Sequence, residues 1–337
     1  RNRNNKWYFM KKYYLLLSMA MAAMSANAQS SLTLDGFAEI AGMKSCDNRN
    51  FEKNIYAIGA LTWNISKGWS TTIEGEFDQK EFNLTQLFIT KEFADYANLS
   101  AGQITVPIGH TVPYNRPENH LTVFLPESEG NMMPYHWDQL GVSFYGEQKG
   151  WSYNAMCLVD KGGMAGALRL DNTIINGLRI GVSGYYGKTY LYQFDNDSLQ
   201  YDNLGNLAVA GIDYDYEDYG IVSHGYATYS HSKGGFGHNA VCAGAELGYN
   251  VFLGKKHNHR LIPFVRYDFY NTTISEDDLA IEKRNTHRIS AGINYQPISQ
   301  VFIKAEYARY QRMGIGGENM LMLGVAVSGA LDIIKKK

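Results

Sequence analysis

From residue 29 onward, the chain consists of short segments in which apolar and polar residues alternate. Between residues 286 and 295, for example, Ile289 and Ile293 alternate with Arg288 and Asn294. Successive side chains of a β-strand point to opposite faces, so the pattern predicts strands with one apolar and one polar face. No helical period is sustained, and no apolar run after residue 29 has the length of a membrane-spanning helix.

The number of these segments indicates a closed barrel. About sixteen segments of about ten residues recur to the C-terminus, separated by turn residues. Single-chain outer-membrane barrels require an even number of strands. The sequence therefore predicts an all-β fold, a transmembrane antiparallel β-barrel of about 16 strands, which is wide enough for a water-filled lumen.

The lengths of the connections support the barrel independently. Connections after even-numbered segments are mostly short, whereas those after odd-numbered segments include nearly all the long ones: 42–54, 107–137, 189–206, 231–238, 271–285 and 311–319. Outer-membrane barrels have short periplasmic turns and long extracellular loops. A soluble β-sandwich has no reason to separate loop lengths in this way.

The polar face of each segment carries charged residues. A charge that faces the middle of a bilayer costs about 2–4 kcal/mol for Arg or Lys, so the polar face is predicted to line the lumen. The predicted lumen wall includes Glu74, Glu76, Arg169, Arg179, Arg266, Asp268, Arg288 and Lys304. Acidic residues cluster early in the chain and basic residues later, which fits either a transverse field across the lumen or a charge-balanced solvated wall.

The connection at residues 107–137 is the longest, and a structureless segment of this length is rare in a compact domain unless it is functional or disordered. It contains many apolar and aromatic residues, which need a surface to pack on. We therefore expect this third extracellular loop to fold into the lumen and narrow it. The predicted pore constriction consists of its charged residues and one histidine: Arg116, Glu118, His120, Glu127 and Glu129. We expect its charged residues to face wall residues such as Arg266, Arg288 and Lys304.

The N-terminus predicts export. Met10-Lys11-Lys12 precedes an apolar stretch at 15–23, and Ala26-Asn27-Ala28 has the pattern of a signal-peptidase site. Residues 10–28 are therefore predicted to be a signal peptide for Sec-dependent export, cleaved after Ala28, and residues 1–9 are predicted to lie upstream of the true translation start. Residues 29–337 form the predicted barrel of a bacterial outer membrane, with membrane lipid and lipopolysaccharide as partners.

Composition and motifs exclude several other functions. The formal net charge of -2 and the isoelectric point near 6.5 do not indicate a nucleic-acid partner. Asp195-Asn196-Asp197 with Asp202 lacks the glycine and glutamate of an EF-hand loop, and His257-Asn258-His259 falls in a predicted basic turn. The spacing of His224, Ser230 and His231 does not place a nucleophile beside a base. We therefore expect no catalytic residue, no metal site and no cofactor.

Three short patches carry a family resemblance: Gly102-Gln103-Ile104-Thr105-Val106-Pro107-Ile108-Gly109, Leu261-Ile262-Pro263-Phe264-Val265-Arg266-Tyr267-Asp268, and Gly292-Ile293-Asn294-Tyr295 followed by Val301-Phe302-Ile303-Lys304-Ala305-Glu306-Tyr307. They resemble the "G-x-F-x-x-P-F-G", "P-Y-x-R-Y-D" and "G-x-N-Y-x-P" stretches of the porin O/P (phosphate-selective) outer-membrane family of Bacteroidetes type. The resemblance implies a sixteen-stranded barrel, often a homotrimer, whose third extracellular loop enters the lumen.

Two features depart from that family. Phosphate-selective members line the constriction with many basic residues, whereas this loop has only Arg116 against three glutamates. Barrels of this kind usually end on an aromatic residue of the last strand, whereas this chain ends on Leu331-Asp332-Ile333-Ile334 and three lysines.

The sequence thus predicts a porin through which small polar or ionic solutes diffuse passively, and not an enzyme. Two alternatives stay open: a barrel-borne lipid or peptide hydrolase, and a structural or adhesive barrel with a plugged lumen.

Overall fold

The computed structural model describes residues 30–46, 51–79, 81–130, 132–133, 137–160, 163–195, 198–233, 239–255, 258–272, 285–313 and 316–334. The predicted signal peptide and the residues before it lie outside the described residues. The strands are β1 (Ser31–Ser45), β2 (Phe51–Ser66), β3 (Trp69–Asp78), β4 (Glu81–Ala94), β5 (Ala97–Thr105), β6 (Asp138–Gln148), β7 (Trp151–Asp160), β8 (Gly163–Asn172), β9 (Leu178–Asp195), β10 (Ser198–Asp218), β11 (Ile221–Lys233), β12 (Asn239–Tyr249), β13 (Arg260–Thr272), β14 (Thr286–Ile298), β15 (Val301–Arg312) and β16 (Gly316–Ile334).

These strands form one closed antiparallel barrel. Each strand pairs with its neighbours in the chain, and β1 pairs with both β2 and β16. Closure satisfies the backbone N–H and C=O groups of every strand, which is a requirement in a bilayer where water cannot replace them. The predicted fold and the count of 16 strands are confirmed. Among the described residues, no helix has the length and apolarity that a membrane crossing needs.

The two faces of the strands separate as the alternation predicts. On the outside, Val265 is 57% exposed and Ile289 is 63% exposed, whereas Arg266 and Arg288, on the opposite faces of the same strands, are 3% and 2% exposed. Leu32, near the start of β1, is buried at the point where the register between β1 and β16 shifts.

The turns at one end of the barrel are tight. Lys67 and Gly68 between β2 and β3 have φ values of 52° and 74°, and Tyr219 and Gly220 between β10 and β11 have values of 51° and 80°. Two consecutive residues with positive φ form the type I′ turn, whose twist matches that of the flanking strands. A substitution at Gly68 would introduce a side chain into a left-handed conformation.

The other end differs from the prediction at residues 189–206. The sequence predicts a loop there, but β9 and β10 continue as a paired hairpin, with Ser198 opposite Asp195. The alternation of apolar and polar residues reflects contact with lipid, and it ends where the lipid ends. Backbone pairing does not depend on that contact, so the hairpin extends beyond the region that the pattern reveals.

Residues 106–137 connect β5 to β6, and the described ones, 106–130, 132–133 and 137, lie inside the barrel, as predicted. We call these described residues the lumen loop. This loop contains a short 3-10 helix at Pro117–Asn119 and a single helical turn, α1 (Glu127–Gly130). Its apolar residues pack against inward-facing residues of the wall in a buried cluster that comprises Ile104, Val106, Ile108, Val112, Met133, Trp137, Met156, Leu158, Ala167, Tyr185 and Val209.

Candidate functional site: the loop-filled lumen

The lumen loop crosses the barrel from β5 to the opposite wall. Its backbone N–H groups find acceptors on the wall at each stage: Gly109 N donates to Ser183 Oγ on β9, at 3.0 Å. Leu121 N donates to Glu246 Oε1 on β12, at 2.8 Å, and Val123 N donates to Glu306 Oε2 on β15, at 3.0 Å. Buried backbone donors need partners, so these inward-facing side chains hold an otherwise irregular chain in place.

Glu129 fastens α1 to the start of the loop. Its fully buried carboxylate accepts hydrogen bonds from His110 N and Thr111 N, the latter at 2.6 Å, and from Thr228 Oγ1 at 2.8 Å. Hydrogen bonds to a charged acceptor are among the stronger ones. The predicted constriction residue Glu129 thus lies within the packed part of the loop.

The rest of α1 contacts the wall at β11 and β13. The Ser128 hydroxyl contacts Tyr226 and donates to Asp268 Oδ1 at 3.0 Å. Tyr270 donates its hydroxyl proton to Glu127 Oε1 at 2.9 Å. Glu127 therefore also serves to attach the loop to the wall.

The middle of the loop is attached to the strands that close the barrel. Arg116 forms an ion pair with Asp35 on β1, and Ser328 on β16 donates to Glu118 Oε1 at 3.0 Å. Lys304 Nζ on β15 donates to the carbonyl oxygens of Pro117 and His120, both at 2.8 Å. Burial and the neighbouring ammonium of Lys304 hold the pKa of the loop residue His120 well below its ordinary value, so this imidazole stays neutral.

Basic residues of the wall are neutralised by acids on their own or neighbouring strands. Arg169 Nη2 lies 2.8 Å from Asp171 Oδ1 and 2.7 Å from Asp213 Oδ1. Arg179 lies 2.6 Å from Asp171 Oδ1 and also pairs with Asp213 and Asp215. Two arginines, on β8 and β9, thus share three aspartates on β8 and β10, and Arg169 also donates to the carbonyl of Gly109 at 2.7 Å.

A second group of ion pairs lies on β12 to β15. Arg266 Nη1 is 3.0 Å from Glu246 Oε2, and its Nη2 is 2.6 Å from Asp268 Oδ1. Arg288 Nη2 is 2.5 Å from Glu306 Oε1. All five side chains are almost fully buried. A buried charge is costly unless it is paired, so this region is a packed ionic core that faces no open water.

A cluster of two histidines and one aspartate joins the lumen loop to the wall, and the sequence pattern does not predict it. His110 Nε2 lies 2.7 Å and His224 Nδ1 lies 2.6 Å from the same oxygen of Asp215. The three ligand atoms that these residues offer lie within 4.8 Å of one another, which is a spacing that a metal ion could use. Only the barrel topology brings residues 110, 215 and 224 together, and their spacing along the chain contains no signal of it.

The space that the loop leaves open lies on the other side of the lumen. A cavity of about 300 Å³ is lined by Phe37, Ile58, Glu74, Gln86, Thr105, Pro107, Val112, Pro113, Asn115, Arg116, Asp138 and Asn154. The wall part of this lining comes mainly from the first strands of the barrel. Glu74 accepts hydrogen bonds from Thr85 Oγ1 at 2.9 Å and from Gln86 Nε2 at 2.7 Å.

The predicted lumen-wall residues all lie on inward-facing positions of their strands, but the expected opposition of loop acids to Arg266, Arg288 and Lys304 is not what the structure shows. The two arginines pair with acids of the wall, and Lys304 contacts loop carbonyls. Arg266 pairs with Asp268, two residues away on its own strand, and with Glu246, directly across on β12, whereas Arg288 pairs with Glu306 on the neighbouring strand β15. The loop acids therefore meet hydroxyl groups and backbone N–H groups.

Comparison with protein-family models finds no match, and comparison with curated proteins by sequence finds none either. Comparison with solved structures does find matches. In-vitro folded OmpT, an outer membrane protein of Vibrio cholerae, has a TM-score of 0.62 at 9% identity, covering 90% of this chain and 98% of that chain. OmpF of Salmonella typhi in complex with daunomycin has a TM-score of 0.64 at 11% identity, covering 89% and 97%.

OprB of Pseudomonas putida, in a high-pH structure, has a TM-score of 0.58 at 11% identity and covers 90% of this chain and 94% of that chain. Each of these matches spans nearly the whole of both chains. This chain therefore has the fold of the outer-membrane barrel proteins.

Proposed function

We propose that this protein is a porin of a bacterial outer membrane that lets small polar or ionic solutes diffuse passively past the lumen loop. The observation that carries the proposal is a closed barrel of 16 strands whose inward-facing residues include many charged ones, and whose remaining space, beside the loop, has charged and amide side chains in its lining together with apolar ones. The charged and amide groups of this lining suit hydrated solutes.

Other observations support the same proposal. The outer wall is a band of exposed apolar residues, which suits lipid and lipopolysaccharide as surroundings. The sequence patches that resemble the porin O/P family, and the fold shared with OmpF and OprB, agree with it. A homotrimer belongs to the proposal, since OmpT of Vibrio cholerae has also been solved in a trimer form, with a TM-score of 0.61 at 10% identity, covering 89% of this chain and 100% of that chain.

A second candidate, the plugged structural barrel, is favoured by the attachment of the loop on many sides. The loop contacts strands from β8 around to β1, and much of it is buried. Passage would then use the space beside Glu74. The two candidates differ in one measurable property, the conductance of the folded protein.

The test is conductance in planar lipid bilayers, for the parent protein and for a variant in which residues 122–132 are replaced by a short Gly-Ser linker. The described residues of this segment contact β11, β13 and β15, so their replacement should open that part of the lumen and raise the single-channel conductance. As a control, a Gly-Ser replacement of the exposed residues 173–176, in the turn between β8 and β9, should leave the conductance unchanged. A folded parent without conductance steps would favour the plugged barrel, and an unchanged conductance after removal of 122–132 would show that this segment does not narrow the pore.

A further inference from the structure

We infer that the passage beside the lumen loop prefers cations over anions, and that Glu74 and Glu76 on β3, with Asp138 at the start of β6, determine this preference. The inference rests on the proposed porin function and adds the charge class of the solute. It is opposite to the phosphate selectivity for which the resembling family is named.

The basic residues of the interior are paired with acids or covered by the lumen loop. Arg169 and Arg179 share three aspartates, and Arg266 and Arg288 each pair with buried acids. Lys304 is 4% exposed and is directed at loop carbonyls. Charges that are paired and covered contribute little to the potential in a water-filled passage. The basic half of the wall therefore does not attract anions into the open space.

On the opposite side of the lumen, the acidic residues of β3 and β6 have neutral hydrogen-bond partners. Glu74 receives hydrogen bonds only from neutral Thr85 and Gln86, and Asp138 receives one from Thr105 Oγ1 at 2.7 Å. Within the part of the chain that the structure describes, no Lys, Arg or His side chain lies within 4.0 Å of the carboxylates of Glu74, Glu76 or Asp138. Their negative charge is thus not cancelled by a close ion pair, and Arg116, which interacts electrostatically with Glu74, is shared with Asp35 and Glu118.

These acids lie at or next to the open space beside the lumen loop. Glu74 and Asp138 both line the cavity of about 300 Å³, and Glu76 is two residues from Glu74 on the same face of β3. Arg116 is the one basic residue among the lining residues, and Asp35 already pairs with it. A narrow space between low-dielectric walls concentrates the field of its charges, so an excess of carboxylates raises the local concentration of cations.

The test is the reversal potential in planar bilayers under a KCl gradient, for the parent and for the double variant Glu74→Gln and Glu76→Gln. The parent should show a permeability ratio of K⁺ over Cl⁻ severalfold above unity, and the double variant should bring the ratio close to unity. Glutamine keeps the shape of glutamate and one acceptor oxygen, which can still accept from Thr85 and Gln86 at position 74, so the barrel should fold. Heat-modifiable migration on gels checks this for each variant.

Two further variants sharpen the result. Glu217→Gln removes a carboxylate on the opposite side of the barrel, where it pairs with Arg260, and should leave the ratio unchanged. Arg116→Gln removes the positive charge from the cavity lining and should raise the ratio.

A conducting parent with an anion preference, or a ratio that the double variant does not change, would overturn the inference and leave the porin function standing. A folded parent that never conducts would overturn the porin function, and the inference with it.

Discussion

At the scale of single residues, the interior of this barrel contains two kinds of charge. On β8 to β15, acids and bases are buried together and hold the lumen loop, whereas on β3 the acids face open space. The difference follows from the loop. Where the loop packs against the wall, it excludes water, and a charged side chain without water is strongly destabilising unless an opposite charge pairs with it.

Glu129 tests this view of the loop. Glu129→Ala leaves His110 N, Thr111 N and Thr228 Oγ1 without their acceptor in a buried site. Since hydrogen bonds to charged groups contribute about 1.5–3 kcal/mol, we expect a loss of about 2–3 kcal/mol in the free energy of unfolding and noisier channel openings. Urea unfolding in lipid vesicles, followed by tryptophan fluorescence, measures the first, and bilayer recordings measure the second.

The matched control is Glu118→Ala on the same loop. Glu118 is 37% exposed and lies 3.8 Å from Arg116, so its loss should cost at most about 1 kcal/mol. Equal effects at the two positions would mean that Glu129 does not anchor α1.

At the scale of elements, each strand contacts lipid on one face and the lumen loop or water on the other, so its two faces need side chains of different polarity. β13 does so with Pro263, Val265 and Tyr267 outward and with Phe264, Arg266 and Asp268 inward. A shift of the register by one residue would place the ion pairs of this strand in the lipid. The alternation therefore determines the register as well as the presence of each strand.

A charged substitution on the outward face of β13 tests the orientation of this strand. Val265→Arg places a cation at the middle of the strand, where Val265 is 57% exposed to the surroundings of the barrel. We expect a loss of about 2–4 kcal/mol in the free energy of folding into bilayers. Leu253→Arg, in the turn that follows β12, should cost about 0–1 kcal/mol, because charges near the membrane surface reach water. The same denaturant titration in vesicles measures both variants, and similar costs at the two sites would show that Val265 does not face lipid.

At the scale of the whole molecule, the pairing of β1 with β16 completes the barrel. Their register runs from Leu32 opposite Ile334 to Ser45 opposite Met320. Backbone pairing along this length joins the last strand to the first.

Truncation of the C-terminus tests this closure. A chain that ends at residue 315 lacks β16 and leaves β1 and β15 with unpaired backbone groups in lipid, so we expect no folded, heat-modifiable species. A chain that ends at Ile334 loses only the three lysines and should refold like the parent. Refolding into detergent micelles, followed by gel migration with and without boiling, distinguishes the two. A folded species from the shorter chain would mean that β16 is not needed for closure.

Much of the fold could be predicted from the sequence, because the polarity of each residue in a strand matches the lipid, water or protein that its side chain contacts. Ile289, Arg288 and Ile293 identify two faces without any knowledge of the neighbouring strands, and the lengths of the connections reveal the two ends of the barrel. The loop at 107–137 could be assigned to the lumen because its apolar residues need a surface. The hairpin of β9 and β10 could not be predicted in full, since pairing outside the lipid leaves no alternation.

The sequence by itself therefore determined the barrel, its strand count and the identity of the inward-facing residues, because lipid and water impose a local pattern. Only the tertiary structure decided which of those residues meet. Arg266 pairs with Glu246 and Asp268, His110 meets His224 at Asp215, and Glu74 remains beside open space. The physical reason is that pairing inside the lumen depends on the path of one irregular loop, and that path is decided by contacts between residues far apart in the chain.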